Sequence, residues 1–117
     1  GVKSSLFIDA DADAVRRSAD LGTDAIELHT GPYAHAPSDP RTLSALASCA
    51  TLATQLGMRV HAGHGLSMAN VYAVAAIPEI EELNIGHAIV GRAVFVGLAA
   101  AVREIRSEMD RARGGRR

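Results

Sequence analysis

The sequence predicts an α/β fold in which strands alternate with helices and pair side by side in a parallel sheet. Four strand-like segments alternate with helical ones, each unit occupies about 30 residues, and the connections are short. Strands joined through helices run parallel, with right-handed crossovers. A βα barrel of eight such units needs about 250 residues, so a chain of 117 residues corresponds to half of one. A small doubly wound sheet is the alternative.

The residues within the strands favour the barrel. A parallel strand buried on both faces is usually apolar throughout, whereas these strands alternate. The apolar positions would face helices and the polar positions a barrel interior or ligand cavity, since polar side chains are costly to bury unless paired or used. The alternating sets are Ile26 and Leu28 against Glu27 and His29, Met58 and Val60 against Arg59 and His61, and Leu83 and Ile85 against Asn84 and Gly86.

The boundaries of the elements follow from alternation, helical spacing, caps and breakers. Asp11 or Asp13 can cap the first helix and Gly22 can end it, while Ser38 or Asp39 can cap the second. In chain order, the predicted elements are strand Ser5–Ile8, helix 11–21, strand Ala25–His29, loop 30–39, helix 40–56, strand 58–62, helix 68–77, strand 82–85 and helix 95–113.

Proline and glycine justify the remaining boundaries. The second helix has Pro40 in its first turn, where proline is tolerated, and it ends at Gly57. Pro78 stops the third helix. After the fourth strand, a short helix is expected to open near Gly91 before the last helix begins.

Composition and charge exclude several classes of function. Hydrophobic residues make up 48% of the chain and charged residues 21%, as in ordinary globular domains. A net charge of −1 gives no basis for a nucleic-acid or anionic-membrane partner. No run of about 18 apolar residues and no signal peptide is visible, so we expect no membrane span and a cytoplasmic location.

The two ends and the single cysteine carry further expectations. The chain begins with Gly1 and enters a strand almost at once, which suggests a piece of a longer protein. Residues 111–117 are basic and broken by glycine, so a frayed tail is expected. Cys49 excludes an intrachain disulfide and is expected in the core. No change of composition marks a boundary, so residues 1–117 are predicted to form a single segment.

His64 follows the third predicted strand, between Gly63 and Gly65 in RVHAGHGLSMAN. Ligands of α/β folds bind beyond the carboxyl ends of strands, and a histidine there can act as an acid or base near neutral pH. The flanking glycines would let a substrate approach the backbone. The alternative is a loop histidine hydrogen-bonded to a backbone carbonyl.

Glu27 lies in the middle of the second strand, on its polar face. A carboxylate there can stabilise a developing positive charge or hold a hydroxyl group. The alternative is a structural ion pair with an arginine of a neighbouring strand, such as Arg59. His29 shares this face, and we expect it to support the site or to be satisfied in the core rather than to react.

Gly86 and His87 follow the fourth strand in GHAIVGRA. A glycine at a strand end followed by a helix start lets backbone N–H groups meet a phosphate, and barrels bind phosphate in the loops after their last two strands. The spacing between Gly86 and Gly91 is that of a P-loop. However, Arg92 and Ala93 stand where a Walker motif has Lys and Ser/Thr, so the segment is not a Walker motif. The alternative is a tight turn that packs the last helix on the sheet.

Metal binding is the weaker hypothesis for the acidic and histidine residues. The aspartates of residues 9–13 resemble the start of a calcium loop, but its later glycine and glutamate are absent, so helix capping is preferred. His61 and His64 form an H-x-x-H in an extended segment, where this spacing points the two rings to opposite faces. A site that also uses Glu27 and His29 stays an alternative.

Four segments, FIDAD, IELHTG, AGHGLS and LNIGHAIVGRA, carry a resemblance in their order and spacing to one known family. The chain resembles the carboxyl-terminal half of pyridoxine 5'-phosphate synthases, which make the vitamin B6 phosphate in bacteria. The resemblance implies an α/β fold that is the second half, four βα units, of a TIM-type eight-stranded parallel barrel. It also implies condensation of 1-deoxy-D-xylulose 5-phosphate with 3-amino-2-oxopropyl phosphate, with release of phosphate and water.

The same resemblance implies roles for individual residues. His64 would be the proton donor, and Glu27 the acidic group that stabilises the transition state. Gly65, Gly86 and His87 would contact the amino-oxopropyl phosphate, the last two through its phosphate. The resemblance implies no metal or organic cofactor, phosphorylated small molecules as substrates, and a homo-oligomer, commonly an octamer.

The chain lacks the first four strands of the family that it resembles. Those strands carry the proton-accepting histidine and glutamate, the arginines for the second substrate and a closing loop. We therefore expect a missing N-terminal half-barrel as partner and an isolated chain that is inactive. Two other classes of function stay open. The first is a non-catalytic phosphate-binding half-barrel that pairs with itself or another chain, which the length and the exposed sheet edges suggest. The second is a metal hydrolase, which the clustered histidine and glutamate residues suggest.

Overall fold

A parallel sheet of four strands lies at the centre of the structure, a computed structural model that describes residues 1–115. The elements in chain order are β1 (Ser5–Ile8), α1 (Ala12–Asp20), β2 (Ala25–His29), α2 (Gly31–His35), α3 (Pro40–Gln55), β3 (Arg59–Gly63), α4 (Val71–Ala75), β4 (Ile80–Asn84), α5 (His87–Val96) and α6 (Leu98–Ala112). The strand order β1-β2-β3-β4 follows the chain, and each neighbouring pair is parallel. A doubly wound sheet reverses its order at one point, whereas this sheet advances in one direction, as half of a βα barrel does.

One face of the sheet carries the hydrophobic core. Ile26, Leu28 and Val60 are at most 1% exposed, and each such side chain contributes roughly 1.5–3 kcal/mol by leaving water. The helices supply the other side of the core through residues that include Val15, Leu46, Ala50, Ala53 and Val74. This is the helix-covered face that the strand alternation predicts.

The opposite face of the sheet is polar and open. Glu27, His61 and Glu82 lie level with one another on β2, β3 and β4, because Glu27 pairs in register with His61 and His61 with Glu82. Phe7 of β1 is level with Glu27 and is 57% exposed. Within residues 1–115 no helix packs on this face, as expected for the interior side of half a barrel.

The first two strands have the predicted limits, whereas the third and fourth are shifted. β3 runs from Arg59 to Gly63 rather than over 58–62, and β4 from Ile80 to Asn84 rather than over 82–85. β4 begins early because Ile80 pairs with Val60. The register then shifts between Val60 and His61, so that Glu81 is an extra residue in β4.

Two helices differ from the prediction at the carboxyl end of the sheet. α2 lies within the predicted loop, and Tyr33 anchors it: the ring is 4% exposed, and its hydroxyl donates to the carbonyl of Asn70 at 2.8 Å. Burial raises the pKa of Tyr33, which keeps this donor protonated. α4 is shorter than predicted because residues 67–70 form a turn in which the Ser67 N–H donates to Asn70 Oδ1 at 2.8 Å.

The last two helices begin elsewhere than predicted. α5 starts at His87, four residues before the expected Gly91, which lies inside it. Gly97 has a φ of +84°, a conformation that breaks the helix between α5 and α6, so the last helix begins at Leu98 rather than at residue 95.

The prediction of a frayed tail over 111–117 is wrong for its first residues. α6 continues to Ala112, and Arg113 then folds back on the end of α4. Its guanidinium donates to the carbonyls of Ala75, Ile77, Pro78 and Ile80. Carbonyls at a helix end lack intrahelical donors, which explains why a basic side chain is held there. Residues 116–117 lie outside the described residues.

Two smaller predictions are confirmed. Asp11 caps α1 by accepting the N–H of Ala14 at 3.0 Å, in agreement with capping rather than calcium binding. Cys49 is 4% exposed within the core, and burial raises the pKa of its thiol. No helix in residues 1–115 has the length and apolar character needed to cross a bilayer.

Candidate active site

The residues proposed from the sequence as a functional site line one pocket at the carboxyl ends of the strands. The pocket has a volume of about 390 Å³, within the size range of small-molecule sites. Its lining contains the five predicted residues Glu27, His64, Gly65, Gly86 and His87, together with Phe7, Leu66, Asn84 and Ile85. The parallel sheet therefore brings together residues that are up to 80 positions apart in the chain.

Glu27 reaches this pocket from the middle of β2, next to Gly63 of β3. A Cβ atom on Gly63 would collide with Glu27 Oε1 and would lie 2.8 Å from the carbonyl oxygen of Asn84. The Asn84 carbonyl is backbone and could not move aside, whereas the Glu27 carboxylate would have to leave its present position. The glycine therefore provides the space that the Glu27 carboxylate occupies.

The alternative ion pair between Glu27 and Arg59 is wrong. The Arg59 guanidinium binds Glu81 instead, with 2.9 Å between Nη2 and Oε2, and this contact lowers the pKa of the Glu81 carboxyl. In the register, Arg59 is level with Ala25, two residues before Glu27. Because Glu81 is the extra residue of the irregular β3–β4 pairing, its side chain is available to Arg59 at the sheet edge.

His64 has an unusual backbone conformation. Its φ is +90°, and it is the only non-glycine residue with a positive φ within residues 1–115. Such a conformation costs about 1–3 kcal/mol and persists only where surrounding contacts enforce it. The side chain is exposed to the pocket, and among the described residues its imidazole makes no hydrogen bond to a backbone carbonyl. The alternative of a carbonyl-bound loop histidine therefore does not hold.

The imidazole of His64 packs against the ring of His29, which in turn packs against the ring of Phe7. Its centroid lies 4.9 Å from that of His29 at an angle of 74°, and His29 in turn lies 5.1 Å from Phe7. His29 Nδ1 accepts the N–H of Gly31 at 3.3 Å, so this histidine is engaged by its own loop. His29 thus packs against His64 from the side of the sheet while His64 faces the pocket.

Gly86 and His87 form the start of α5 at the pocket. Gly86 is the N-cap residue, and no side chain hydrogen-bonds the first turn of this helix. The N–H groups of His87, Ala88 and Ile89 have no acceptor within the helix, since Val90 is the first residue to bond back, to the Gly86 carbonyl at 2.9 Å. Free N–H groups at the positive end of a helix of this length favour an anion such as phosphate.

Comparison with known proteins establishes the family. Residues 1–111 match the family model described as pyridoxal phosphate biosynthesis protein PdxJ. The chain belongs to the PdxJ family. It is 48% identical to a curated pyridoxine 5'-phosphate synthase from Caulobacter sp. (strain K31) over 119 residues, covering 97% of the chain. The same match covers 47% of the relative, so this PdxJ chain spans about half the length of the curated relative it matches.

Sequence reasoning did not propose four of the pocket residues, Phe7, Leu66, Asn84 and Ile85, or one buried support. For Asn84 a signal was available, because it occupies the polar face of an alternating strand, whereas Phe7 lies on the open face of β1 and is level with Glu27. Thr30 is fully buried behind the pocket and donates its hydroxyl to the His64 carbonyl. A threonine inside HTGPY has the usual appearance of a turn residue, so nothing in the sequence distinguishes it.

The residues considered for a metal site are only partly brought together in this PdxJ chain. His61 Nδ1 lies 3.8 Å from Glu82 Oε1, and its Nε2 is buried with no hydrogen-bond partner within residues 1–115. Over the same residues, no group of three or more histidine, cysteine, aspartate or glutamate side chains is arranged to hold a metal ion.

The glycines of this PdxJ chain differ in what they require, which gives a matched stability test. Gly65 has a φ of +75°, and a Cβ atom there would lie 2.8 Å from Ala34 Cβ. We expect Gly65→Ala to lower the free energy of unfolding by about 1–2 kcal/mol, measured by urea denaturation and circular dichroism. Gly91→Ala is the control, since Gly91 is helical with open space around it, and it should raise stability by about 0.5–1 kcal/mol. Equal midpoints for the two variants would contradict the strained turn.

Proposed function

We propose that this chain is the second half of a pyridoxine 5'-phosphate synthase barrel. The complete barrel would condense 1-deoxy-D-xylulose 5-phosphate with 3-amino-2-oxopropyl phosphate to form pyridoxine 5'-phosphate, with release of phosphate and water. The observation that carries the proposal is the convergence, in one pocket, of His64 with the uncapped start of α5. Membership of the PdxJ family and the name of the Caulobacter relative support the same activity.

Under this proposal, His64 is the proton donor. Ring closure through imine formation expels hydroxyl and phosphate groups, and each leaving group needs a proton as its bond to carbon breaks. An imidazole titrates near neutral pH, which suits a group that must be protonated before the step and regain its proton afterwards. His64 meets the geometric requirement because its exposed ring faces the pocket beside the α5 start.

Glu27 would stabilise positive charge in the imine intermediates. Its carboxylate lines the pocket and is free of Arg59, whose guanidinium is bound by Glu81. A fixed carboxylate near a developing cation lowers the energy of the transition state without reorganisation. Gly63 supports this role by leaving room for the carboxylate at the strand end.

The phosphate of 3-amino-2-oxopropyl phosphate would bind at Gly86 and His87. The first N–H groups of α5 would donate to its oxygens, and Gly65 would contact the same substrate across the pocket. A Cβ atom on Gly86 would meet nothing within 4 Å, and its φ of −120° is open to any residue. Neither packing nor conformation therefore demands glycine at this position, which supports a substrate that occupies the space.

The remaining machinery would come from a preceding half-barrel. The resemblance implies that this half carries the proton acceptors and the groups for the second substrate, so the isolated 117 residues would be inactive. The proposal treats residues 1–117 as a single segment of a cytoplasmic homo-oligomer, an octamer by resemblance, which needs no organic cofactor or metal.

The proton-donor role predicts a large and specific loss of turnover in His64→Asn. The protein tested is a full-length barrel in which the first half of the Caulobacter relative is joined to residues 1–117. Because general acid catalysis contributes about 10²- to 10⁴-fold, kcat should fall within or beyond that range while substrate affinity is kept. His35→Asn, at the exposed end of α2, is the control and should retain turnover. Near-normal turnover in His64→Asn would remove His64 from the mechanism.

The phosphate site predicts a loss of affinity in Gly86→Val in the same full-length barrel. The new side chain would occupy the space before the α5 N–H groups, and since a Cβ atom at Gly86 meets nothing within 4 Å, we expect the variant to fold. Calorimetric affinity for 3-amino-2-oxopropyl phosphate should fall at least about tenfold, as expected if phosphate hydrogen bonds worth about 1.5–3 kcal/mol each are lost. Gly91→Ala, five residues beyond Gly86 and inside α5, should bind normally. An unchanged affinity in Gly86→Val would place the phosphate elsewhere.

The non-catalytic half-barrel is favoured by one observation, the open edges of the sheet. Within the described residues, β1 and β4 each pair along one edge only, and unpaired edges attract another strand. Sedimentation of the purified chain with and without the separate first half distinguishes the two functions. The proposed enzyme predicts a mixed complex that forms product, whereas a dimer of this chain that binds inorganic phosphate and forms no product with either partner would support the alternative.

A further inference from the structure

Thr30 occupies a position that the proposed mechanism does not use. It follows β2 directly and its side chain is fully buried. A hydroxyl group shielded from water requires a hydrogen-bond partner, so the acceptor it chooses is informative. That acceptor is the backbone carbonyl of His64, 34 residues later in the chain, at 2.5 Å.

The usual use of a threonine at this position is absent. Thr30 is the N-cap residue of α2, where a threonine side chain ordinarily accepts an N–H of the first helical turn. Here the hydroxyl makes no such bond to α2. It points instead across the sheet edge to the loop after β3.

Thr30 also holds the other side of His64. Its backbone N–H donates to the carbonyl of Gly63 at 2.9 Å. The two peptide planes that flank His64 are therefore both fixed by one residue, the preceding plane through the Gly63 carbonyl and the following plane through the His64 carbonyl. The orientation of these planes sets φ and ψ of His64, and hence the direction of its Cα–Cβ bond.

These bonds act on a conformation that would not persist without support. His64 has a φ of +90°, which histidine seldom adopts, and Gly65 follows with a φ of +75°. The next peptide is held as well, since Asn70 Nδ2 donates to the Gly65 carbonyl at 3.1 Å. The Thr30 hydroxyl makes its hydrogen bond to His64 itself, whereas the Asn70 side chain bonds to the following residue.

We infer that Thr30 is a positioning residue for the proton donor: its hydroxyl bond to the His64 carbonyl holds the strained turn that directs the imidazole into the pocket. The catalytic consequence rests on the proposed function, whereas the positioning itself does not. Thr30 touches no substrate, so its removal should weaken the chemical step and leave substrate binding largely intact.

The test compares Thr30→Val with Thr30→Ser in the full-length barrel described above. Valine keeps the shape of threonine without its hydroxyl, and serine keeps the hydroxyl without the methyl group. We expect kcat to fall about 10- to 100-fold in Thr30→Val, the effect of a displaced catalytic group, with little change in KM. Thr30→Ser should restore most of kcat.

Thr23→Val is the matched control. Thr23 lies two residues before β2 and is 8% exposed, and its hydroxyl is within 3.1 Å of the carbonyls of both Ala25 and Ser4, to either of which it can donate. Its loss removes a buried hydroxyl bond at the opposite end of the same strand, far from the pocket. We expect Thr23→Val to lower thermal stability but to keep kcat.

Three kinetic results would overturn the inference. The first is a normal kcat in Thr30→Val. The second is an equal loss in Thr30→Ser and Thr30→Val, which would assign the effect to the methyl group. The third is a kcat loss in Thr23→Val as large as in Thr30→Val, which would indicate a general structural effect.

Crystal structures of the full-length barrel separate this inference from the proposed function. A wild-type barrel that forms no product would end the proposed function, but the position of His64 can still be compared in wild type and Thr30→Val. A displaced His64 backbone and ring in the variant supports the inference. An unchanged position of His64 in the variant overturns the inference. A wild-type structure without the Thr30 hydroxyl bond overturns it as well, and this second test does not require Thr30→Val to fold.

Discussion

The level register of the four parallel strands is the constraint on which the site depends. His29 is level with Gly63, and Gly63 with Asn84, so three successive strands end at the same height. The residues that follow these ends therefore enter neighbouring loops at one edge of the sheet. The register itself is fixed by burial, because a slip of one residue would turn Ile26 and Leu28 to the open face and Glu27 into the core.

The loop after β3 is tied to α2, which gives this five-residue helix a structural purpose. Thr30 at its start bonds to His64, and Tyr33 within it donates to the carbonyl of Asn70. Asn70 in turn holds the Gly65 carbonyl and the Ser67 N–H. The turn that presents His64 is thus braced at both ends from the helix side of the sheet. Mobility of this turn is limited by side chains that never reach the pocket.

The strands and the position of the site could be read from the sequence because both depend on local pattern. The limits of β1 and β2 were predicted correctly, and the glycines that follow strands located His64 and Gly86. α2 could not be read in this way, since Gly-Pro-Tyr-Ala-His has the composition of a turn and is helical here through the tertiary burial of Tyr33.

The sequence also could not predict which residues far apart in the chain form ion pairs or hydrogen bonds with each other. The sequence analysis considered Glu27 as the partner of Arg59, whereas the irregular β3–β4 pairing brings Glu81 to this arginine. Thr30 had an ordinary local acceptor in the first turn of α2, yet bonds to His64. In both cases the decisive quantity is the relative position of two strands or loops. Such a position follows from the packed sheet and has no counterpart in residue spacing.

The open face of the sheet indicates what the proposed first half-barrel would contact. Glu27, His61 and Glu82 form a level polar layer across three strands, and His61 Nε2 is buried without a partner within the described residues. We expect the proposed first half-barrel to present polar side chains at that level, because polar atoms are costly to bury unless they are paired. In the proposed enzyme, the proton acceptors would come from that side. His64, the proposed proton donor, is held instead by Thr30 from the helix side, so we expect its position to be set within this half of the barrel.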